Sequence, residues 1–164
     1  MREALKPNES HDSVFTIDLA GLYERGYKNI LIDVDNTITP WNADRVSERL
    51  RGWLKQCQIL GFTVCLFSNG TSSRVNRLAA ELMISAVPKG GKPLRAAFKR
   101  ALGYIDGRPQ NTIMIGDQIF TDIWGGNLTG LYTILVNPIS TREFWGTKFN
   151  RFLERVLAKR GELG

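Results

Sequence analysis

Histidine is almost missing from this chain of 164 residues. His11 is the only one, and it lies in a polar N-terminal stretch. That argues against a metal site built on several imidazoles, a Ser-His-Asp triad or a phosphohistidine mechanism. Cysteine is scarce as well. Cys57 and Cys65 sit in apolar segments, and six residues on stand Thr63 and Thr71, not the arginine that a cysteine phosphatase loop needs. Both cysteines read as reduced core residues of a cytosolic protein rather than a disulfide. No apolar run approaches the roughly 18 residues of a membrane-spanning helix. Met1 to Asp12 contain no apolar stretch of the secretory kind, so a cytoplasmic location is expected. Repeats, low-complexity tracts and linker-like shifts in composition are also missing.

What is present is ordinary in amount. A hydrophobic fraction of 43% with 23% charged residues excludes a disordered or fibrous chain. A mass of 18.5 kDa suits one domain spanning 1–164, with a core of its own at about 27–138. The formal charge of +6 is uneven: Arg142 to Arg160 hold six Lys or Arg against two Glu. An anionic partner (a lipid surface, a nucleic acid or a phosphorylated substrate) and a merely solvated basic face both fit that excess.

Strand-like and helix-like segments alternate. Asn29 to Val34 is a short apolar run ending in acids and reads as a buried parallel strand. Asn42 or Asp44 is the expected cap of a helix carrying Val46, Leu50, Trp53, Leu54 and Cys57, closed by Gly61. Thr63 to Phe67, Ile84 to Val87, Thr112 to Ile115 and Tyr132 to Val136 follow as strands. Helices are expected through Val75 to Leu82, over Leu94 to Leu102, and from Asp122 onward. A terminal basic amphipathic helix is expected over about 141–160. The alternation predicts an α/β fold with a parallel sheet covered on both faces, and a ligand site at the carboxyl ends of the strands.

The polar residues gather at those ends. The first strand runs into Asp33-Val34-Asp35-Asn36-Thr37, the second into Ser68-Asn69-Gly70, and the fourth into Gly116-Asp117 with Thr121-Asp122 beyond. Lys89-Gly90-Gly91-Lys92-Pro93 precedes the Leu94 helix. Acids at an apolar strand end are costly unless paired or metal-bound. In an extended segment Asp33 and Asp35 would share a face. Clustered with Asp117 and Asp122 they would place four negative charges together, for which Mg²⁺ with oxygen ligands is the natural counter-ion. Taken singly, the acids could be turns or caps, Ser68-Asn69-Gly70 a turn and Lys92 surface charge. A Walker A loop is ruled out, because Ala86 stands where its first glycine would be and Pro93 follows the lysine.

In this order and spacing the four segments resemble the haloacid dehalogenase-like (HAD) phosphatases, from about Ile30 to Asp122. The resemblance implies a three-layer Rossmannoid fold and a set of roles. Asp33 would attack phosphorus and form an aspartyl-phosphate. Asp35 would protonate the leaving oxygen and then activate water, while its backbone carbonyl holds the metal. Thr37 would fix the loop. Ser68 and the Asn69 amide would hold phosphate oxygens, and Lys92, with Lys89 as its competitor, would neutralise developing charge. Asp117 would complete the Mg²⁺ shell, supported by Asp122. An acid at Asp35 fits phosphate-ester hydrolysis rather than dehalogenation. Asn36 replaces a frequent family glycine and tolerates unusual backbone angles nearly as well.

Asp35 and Ser68 are 33 residues apart and Ser68 and Lys92 are 24 apart, too little for an inserted cap domain. An open site suits a bulky substrate: a protein, a nucleic acid end or a lipid head group. The Asp35-Asn36-Thr37 run followed by Pro40-Trp41-Asn42, with Gly91-Lys92-Pro93 and a lead-in through Leu22 to Gly26, is similar to the YqeG-like branch of capless HAD phosphatases. That branch is akin to the phosphatidylglycerophosphate phosphatases of fungal mitochondria. The resemblance implies conversion of phosphatidylglycerophosphate to phosphatidylglycerol and a phospholipid head group as partner. In the terminal helix Trp145, Phe149, Phe152, Leu153, Val156 and Leu157 recur at helical spacing, interleaved with Lys148, Arg151, Arg155 and Lys159. This pattern suits a peripheral anchor on an anionic inner membrane face, packing against the sheet, or a dimer contact. Two other functions compete: a capless phosphatase on a soluble phosphoprotein, nucleic acid or metabolite, and a non-catalytic basic RNA-binding module. The intact acids argue against the latter.

Overall fold

A computed structural model describes residues 3–40 and 46–140. The terminal helix expected over 141–160, with its aromatic and basic stripes, lies outside them. Six parallel strands form one sheet: β1 (Glu9–His11), β2 (Asn29–Ile32), β3 (Thr63–Phe67), β4 (Ser85–Val87), β5 (Thr112–Gly116) and β6 (Tyr132–Val136). Their spatial order is β1-β6-β5-β2-β3-β4. Five helices connect them: α1 (Leu19–Glu24), α2 (Glu48–Leu60), α3 (Ser72–Leu82), α4 (Arg95–Tyr104) and α5 (Trp124–Thr129).

The central strands β2 and β5 are buried along their whole length, as expected of a parallel sheet covered on both sides. Alternation sorts their side chains. Ile30 and Ile32 join Ile113 and Ile115 in the core beneath α1, α2 and α3. Leu31, Cys65 and Met114 face the other core, filled by Ala97, Phe98, Ala101 and Leu102 of α4. Gly125 and Gly126 of α5 lie against Phe98 and Met114 on that second face, where no side chain fits. The result is the three-layer α/β fold predicted. The chain builds β2, β3 and β4 outward in one direction and then returns to place β5 and β6 on the other side of β2. The crevice between β2 and β5 is therefore the switch point where such sheets bind ligands.

Several local expectations need correction. Asn42 and Asp44 lie outside the described residues, and the cap of α2 is Ser47, whose Oγ accepts from the Leu50 amide at 3.1 Å. Gly61 ends that helix at φ 97°, as expected. In the polar N-terminal stretch, for which the sequence suggests no element, Glu9–His11 pairs with Ile134–Val136 as an edge strand. Its three residues carry no apolar pattern, so only the partner strand reveals it. The turn after β5 starts at Ile119, before Asp122, as a wide π-helical turn over Ile119–Ile123 that leads into α5. No domain is inserted among the described residues, and no helix there is long and apolar enough to cross a membrane.

Candidate active site

Strand register brings the acids together. Ile32 pairs with Ile115, so Asp33 and Gly116-Asp117 leave the sheet side by side. The Asp33 amide still donates to the Ile115 carbonyl at 2.9 Å, which fixes its backbone to the neighbouring strand. The chain then turns tightly: the amides of Thr37, Ile38 and Thr39 all donate to the Val34 carbonyl. Asn36 takes φ 61° in this turn, a left-handed conformation asparagine tolerates. Its backbone carbonyl accepts from the Ile139 amide at 2.9 Å and its Oδ1 from Ser140 Oγ at 2.8 Å.

Lys92 is buried at the centre. Its Nζ donates to Asp33 Oδ1 at 2.7 Å and to Asp122 Oδ1 at 2.6 Å. Lys89, its competitor in the sequence, is exposed. The Lys92-Pro93 peptide bond is cis. Asn69 holds this loop in place: its Oδ1 accepts from the amides of Gly91 and Lys92, both at 2.9 Å, and its Nδ2 donates to the Lys92 carbonyl at 3.1 Å. Ser68 is buried at the end of β3, and its Oγ accepts from the Gly70 amide at 3.0 Å. Thr37 spans the crevice by donating to Asp117 Oδ1 at 2.9 Å.

Three of the four expected acids gather. Asp33, Asp117 and Asp122 each offer an oxygen within 4.8 Å of the others. The fourth, Asp35, turns its carboxylate away to Arg74 on α3, at 2.5 Å. The expectation of four clustered charges fails because the segment after Asp33 coils instead of staying extended, and because a guanidinium waits there.

Within the cluster the oxygens are unequally engaged. Asp122 has both committed, Oδ1 to Lys92 and Oδ2 to the Gln118 amide at 3.1 Å. Asp33 Oδ2 and Asp117 Oδ2 are buried without a hydrogen-bond partner. Buried acceptors are rarely left open, and two open hard oxygens within a cluster of three carboxylates fit a small divalent cation. The electrostatics agree. Burial first, then the neighbouring charges of Asp122 and Asp35, pushes the Asp33 carboxyl up to about 7 despite Lys92. Burial and the charges of Asp33 and Asp122 push Asp117 up to about 8, against the Thr37 hydrogen bond. Burial opposes the charge on Lys92, but Asp122 and Asp33 outweigh it and raise its pKa.

Sequence reasoning missed three contributors. Nothing in the sequence sets Arg74 apart from the other arginines. The Asn69 side chain looked like part of a turn. Gly116 was read only as a motif letter, yet a Cβ there would lie 2.2 Å from Asp122 Oδ2, so only glycine lets that carboxylate lie against the strand end. A Gly immediately before a strand-end Asp was the available signal. Cys57 and Cys65 are free and buried, as expected, and burial pushes both thiols up to about 12.

Carboxylates set around a buried lysine at the switch point of a parallel sheet are the working arrangement of the HAD-like hydrolases. Known proteins agree. The HAD-hydrolase-like family profile matches residues 90–147. The chain is similar to the "Probable phosphatase YqeG" of Bacillus subtilis (strain 168), at 34% identity over 155 residues, 94% of this chain and 90% of that protein. It therefore belongs to the HAD-like phosphatases. It is also similar to "Phosphatidylglycerophosphate phosphatase 1, chloroplastic/mitochondrial" of Arabidopsis thaliana, at 28% identity over 97% of this chain, and it spans about half (49%) of that protein's length. Among solved structures, an uncharacterized protein from Corynebacterium glutamicum shares the fold with a TM-score of 0.59 at 19% identity, covering 81% of this chain and 94% of that one.

Proposed function

We propose that the protein is a Mg²⁺-dependent phosphate monoester hydrolase that works through an aspartyl-phosphate and converts phosphatidylglycerophosphate to phosphatidylglycerol. The observation that carries the chemistry is the pair of buried, unpartnered oxygens, Asp33 Oδ2 and Asp117 Oδ2, beside a carboxylate–lysine network. Those two residues, with Asp122 and the Asp35 carbonyl in support, are the proposed holders of Mg²⁺. When bound, the ion supplies charge neutralisation that lets an anionic phosphate approach the carboxylates.

The chain's own residues do the rest. Asp33 attacks phosphorus, and the bond from phosphorus to the leaving oxygen breaks as its own forms. Lys92 holds the nucleophile in place and faces the charge that builds on the phosphoryl oxygens. Ser68, the Asn69 amide and Thr37 position those oxygens and the loop. Asp35 gives a proton to the leaving alkoxide, then takes one from the water that cleaves the aspartyl-phosphate.

The lipid substrate is supported by the Arabidopsis relative and by the uncapped site, whose mouth is not closed by any inserted domain among the described residues. Four large apolar side chains, Leu94, Ile119, Phe120 and Ile139, are exposed on loops at the carboxyl end of the sheet. They suit peripheral contact with an anionic membrane, to which the basic segment 141–160 adds in this reading. The whole of 1–164 then serves as one hydrolase unit on the cytoplasmic face.

Assay of the purified protein against vesicle-borne phosphatidylglycerophosphate, soluble phosphate esters and a phosphopeptide, with Mg²⁺ or EDTA, tests this. Phosphate release from the lipid should exceed that from the soluble esters and should stop in EDTA. Preference for a soluble ester overturns the lipid assignment, and full turnover in EDTA overturns the metal.

A further inference from the structure

We propose that Arg74 is a positioning residue for Asp35 and that it governs how well the enzyme expels poor leaving groups. The inference rests on the acid–base reading of Asp35 above.

The geometry is that of a fork. Arg74 Nη1 donates to Asp35 Oδ1 at 2.5 Å, and Nη2 donates to Thr39 Oγ1 at 3.2 Å. Asp35 and Thr39 are themselves joined by a backbone bridge across the turn. One planar guanidinium thus grips both sides of the loop that follows the nucleophile with two nitrogens fixed in one plane, a rigid fork that the single ammonium of a lysine lacks. The pair is largely enclosed, with side-chain exposures of 11% for Arg74 and 13% for Asp35. Arg74 lies in the first turn of α3, directly after the Ser68-Asn69-Gly70 turn. That turn reaches Asp35 as well: a Cβ on Gly70 would lie 3.5 Å from Asp35 Oδ2.

Two forces act on the Asp35 carboxylate. The negative charges of Asp33, Asp117 and Asp122 lie on one side, and the Arg74 guanidinium lies on the other. The ion pair therefore holds the Asp35 carboxylate off the cluster, where it would compete for the cation, and in the acid–base reading the same hold aims it at the leaving oxygen. A capped enzyme can orient such a group from its lid. Here α3 supplies the orientation from within the core fold.

The chemical consequence depends on the substrate. A poor leaving group needs its proton as the bond to phosphorus breaks. p-Nitrophenolate leaves well without one. In the step that expels the leaving group, a residue that acts only by aiming Asp35 must matter much more for the first than for the second.

The test compares kcat/KM, which covers the steps through departure of the leaving group and leaves out the shared hydrolysis of the aspartyl-phosphate, for p-nitrophenyl phosphate and phenyl phosphate with the wild type, Arg74→Gln, Arg74→Lys, Asp35→Asn and the Arg74→Gln/Asp35→Asn double variant. Circular dichroism and calorimetric Mg²⁺ titration run alongside as readouts of fold and cluster. Arg74→Gln should lower kcat/KM for phenyl phosphate by roughly tenfold more than for p-nitrophenyl phosphate, within the usual worth of acid–base catalysis. Arg74→Lys should restore part of the loss, because it keeps the charge and gives up the fork. The double variant should be no slower than Asp35→Asn alone. Equal losses on both substrates, or a further loss in the Asp35→Asn background, overturn the inference and assign Arg74 to the general fold. If Asp35→Asn itself slows both substrates alike, the acid–base reading fails and takes this inference with it. If Asp35→Asn is selective and Arg74→Gln is not, only the inference about Arg74 fails.

Discussion

The two ends of the sheet treat buried polar groups in opposite ways. At the amino ends of β2 and β5 they are neutral and hydrogen-bonded: Asn29 Nδ2 donates to Asn111 Oδ1 at 3.0 Å, and Thr112 Oγ1 donates to the Arg108 carbonyl at 2.7 Å. At the carboxyl ends of the same strands the buried groups are ionisable, and two carboxylate oxygens are left open. The strands are the same and so is their burial. The difference is that one end is finished by folding alone, while the other is left incomplete for a cation and a phosphate. Folding free energy is small, so an open cluster of this kind is tolerated only where the rest of the core can carry its cost.

The sharpest way to break this comparison is Asp33→Asn. It removes the nucleophile and a metal-holding charge, so phosphatase activity should fall to background. It also removes a carboxylate that burial disfavours, so the metal-free protein should melt higher than wild type in EDTA. An active Asp33→Asn, or one that melts lower, would mean that the carboxyl end is built for stability after all.

Next in size is Asn69→Ala. Three hydrogen bonds to the 91–92 backbone would be lost while the residue-69 amide remains. A misplaced Lys92 should lower turnover by roughly 10–100-fold, since an ångström of misplacement costs on that scale. Wild-type turnover would show that Lys92 is held by its carboxylates alone.

A third expectation concerns pH. A carboxyl whose pKa is raised keeps its proton in the folded protein after the unfolded chain has released it. The folded state then binds more protons, and stability falls as pH rises. With Asp33 raised to about 7 and Asp117 to about 8, both from 3.8, the metal-free protein should lose stability between about pH 4 and pH 8. Mg²⁺ should restore it, and restore more at pH 8 than at pH 5. Melting curves in EDTA and in Mg²⁺ across that range measure this, and a melting point in EDTA that holds level would contradict it.

The smallest effect belongs to the finished end. Asn29→Ala deletes one bond, but Asn111 Oδ1 keeps the Arg108 amide as a donor. The cost should be about 1 kcal/mol in denaturant unfolding, with turnover unchanged.

How legible each part was in the sequence follows the range of its causes. β3 and β6 were readable to the residue because an apolar run bounded by turn residues is a local signal. The order of the strand-end motifs, through its resemblance to the HAD phosphatases, pointed to Asp33, Ser68 and Asp117 as candidates. β1 was not readable, because Glu9–His11 owes its form to hydrogen bonds offered by a strand more than a hundred residues away. The choice between Lys89 and Lys92 also needed the fold: only Lys92 lies within reach of Asp33 and Asp122. Arg74 and the Asn69 side chain were invisible on the same ground. Nothing in Ser72–Leu82 marks one of its arginines as the partner of Asp35, 39 positions earlier. Nothing in Ser-Asn-Gly shows that Asn69 meets the backbone at 91–92.

The hydrogen bonds from Ile139 and Ser140 to Asn36 bear on how this protein can be handled at the bench. They stitch the chain, as it leaves β6, to the loop between Asp35 and Thr37. A fluorophore coupled at position 140 would start its tether at the loop that follows Asp33 and report on occupancy without touching a working side chain. The same attachment used to immobilise the enzyme on a bead would crowd the mouth. Position 140 is therefore a good place for a sensor and a poor one for a handle.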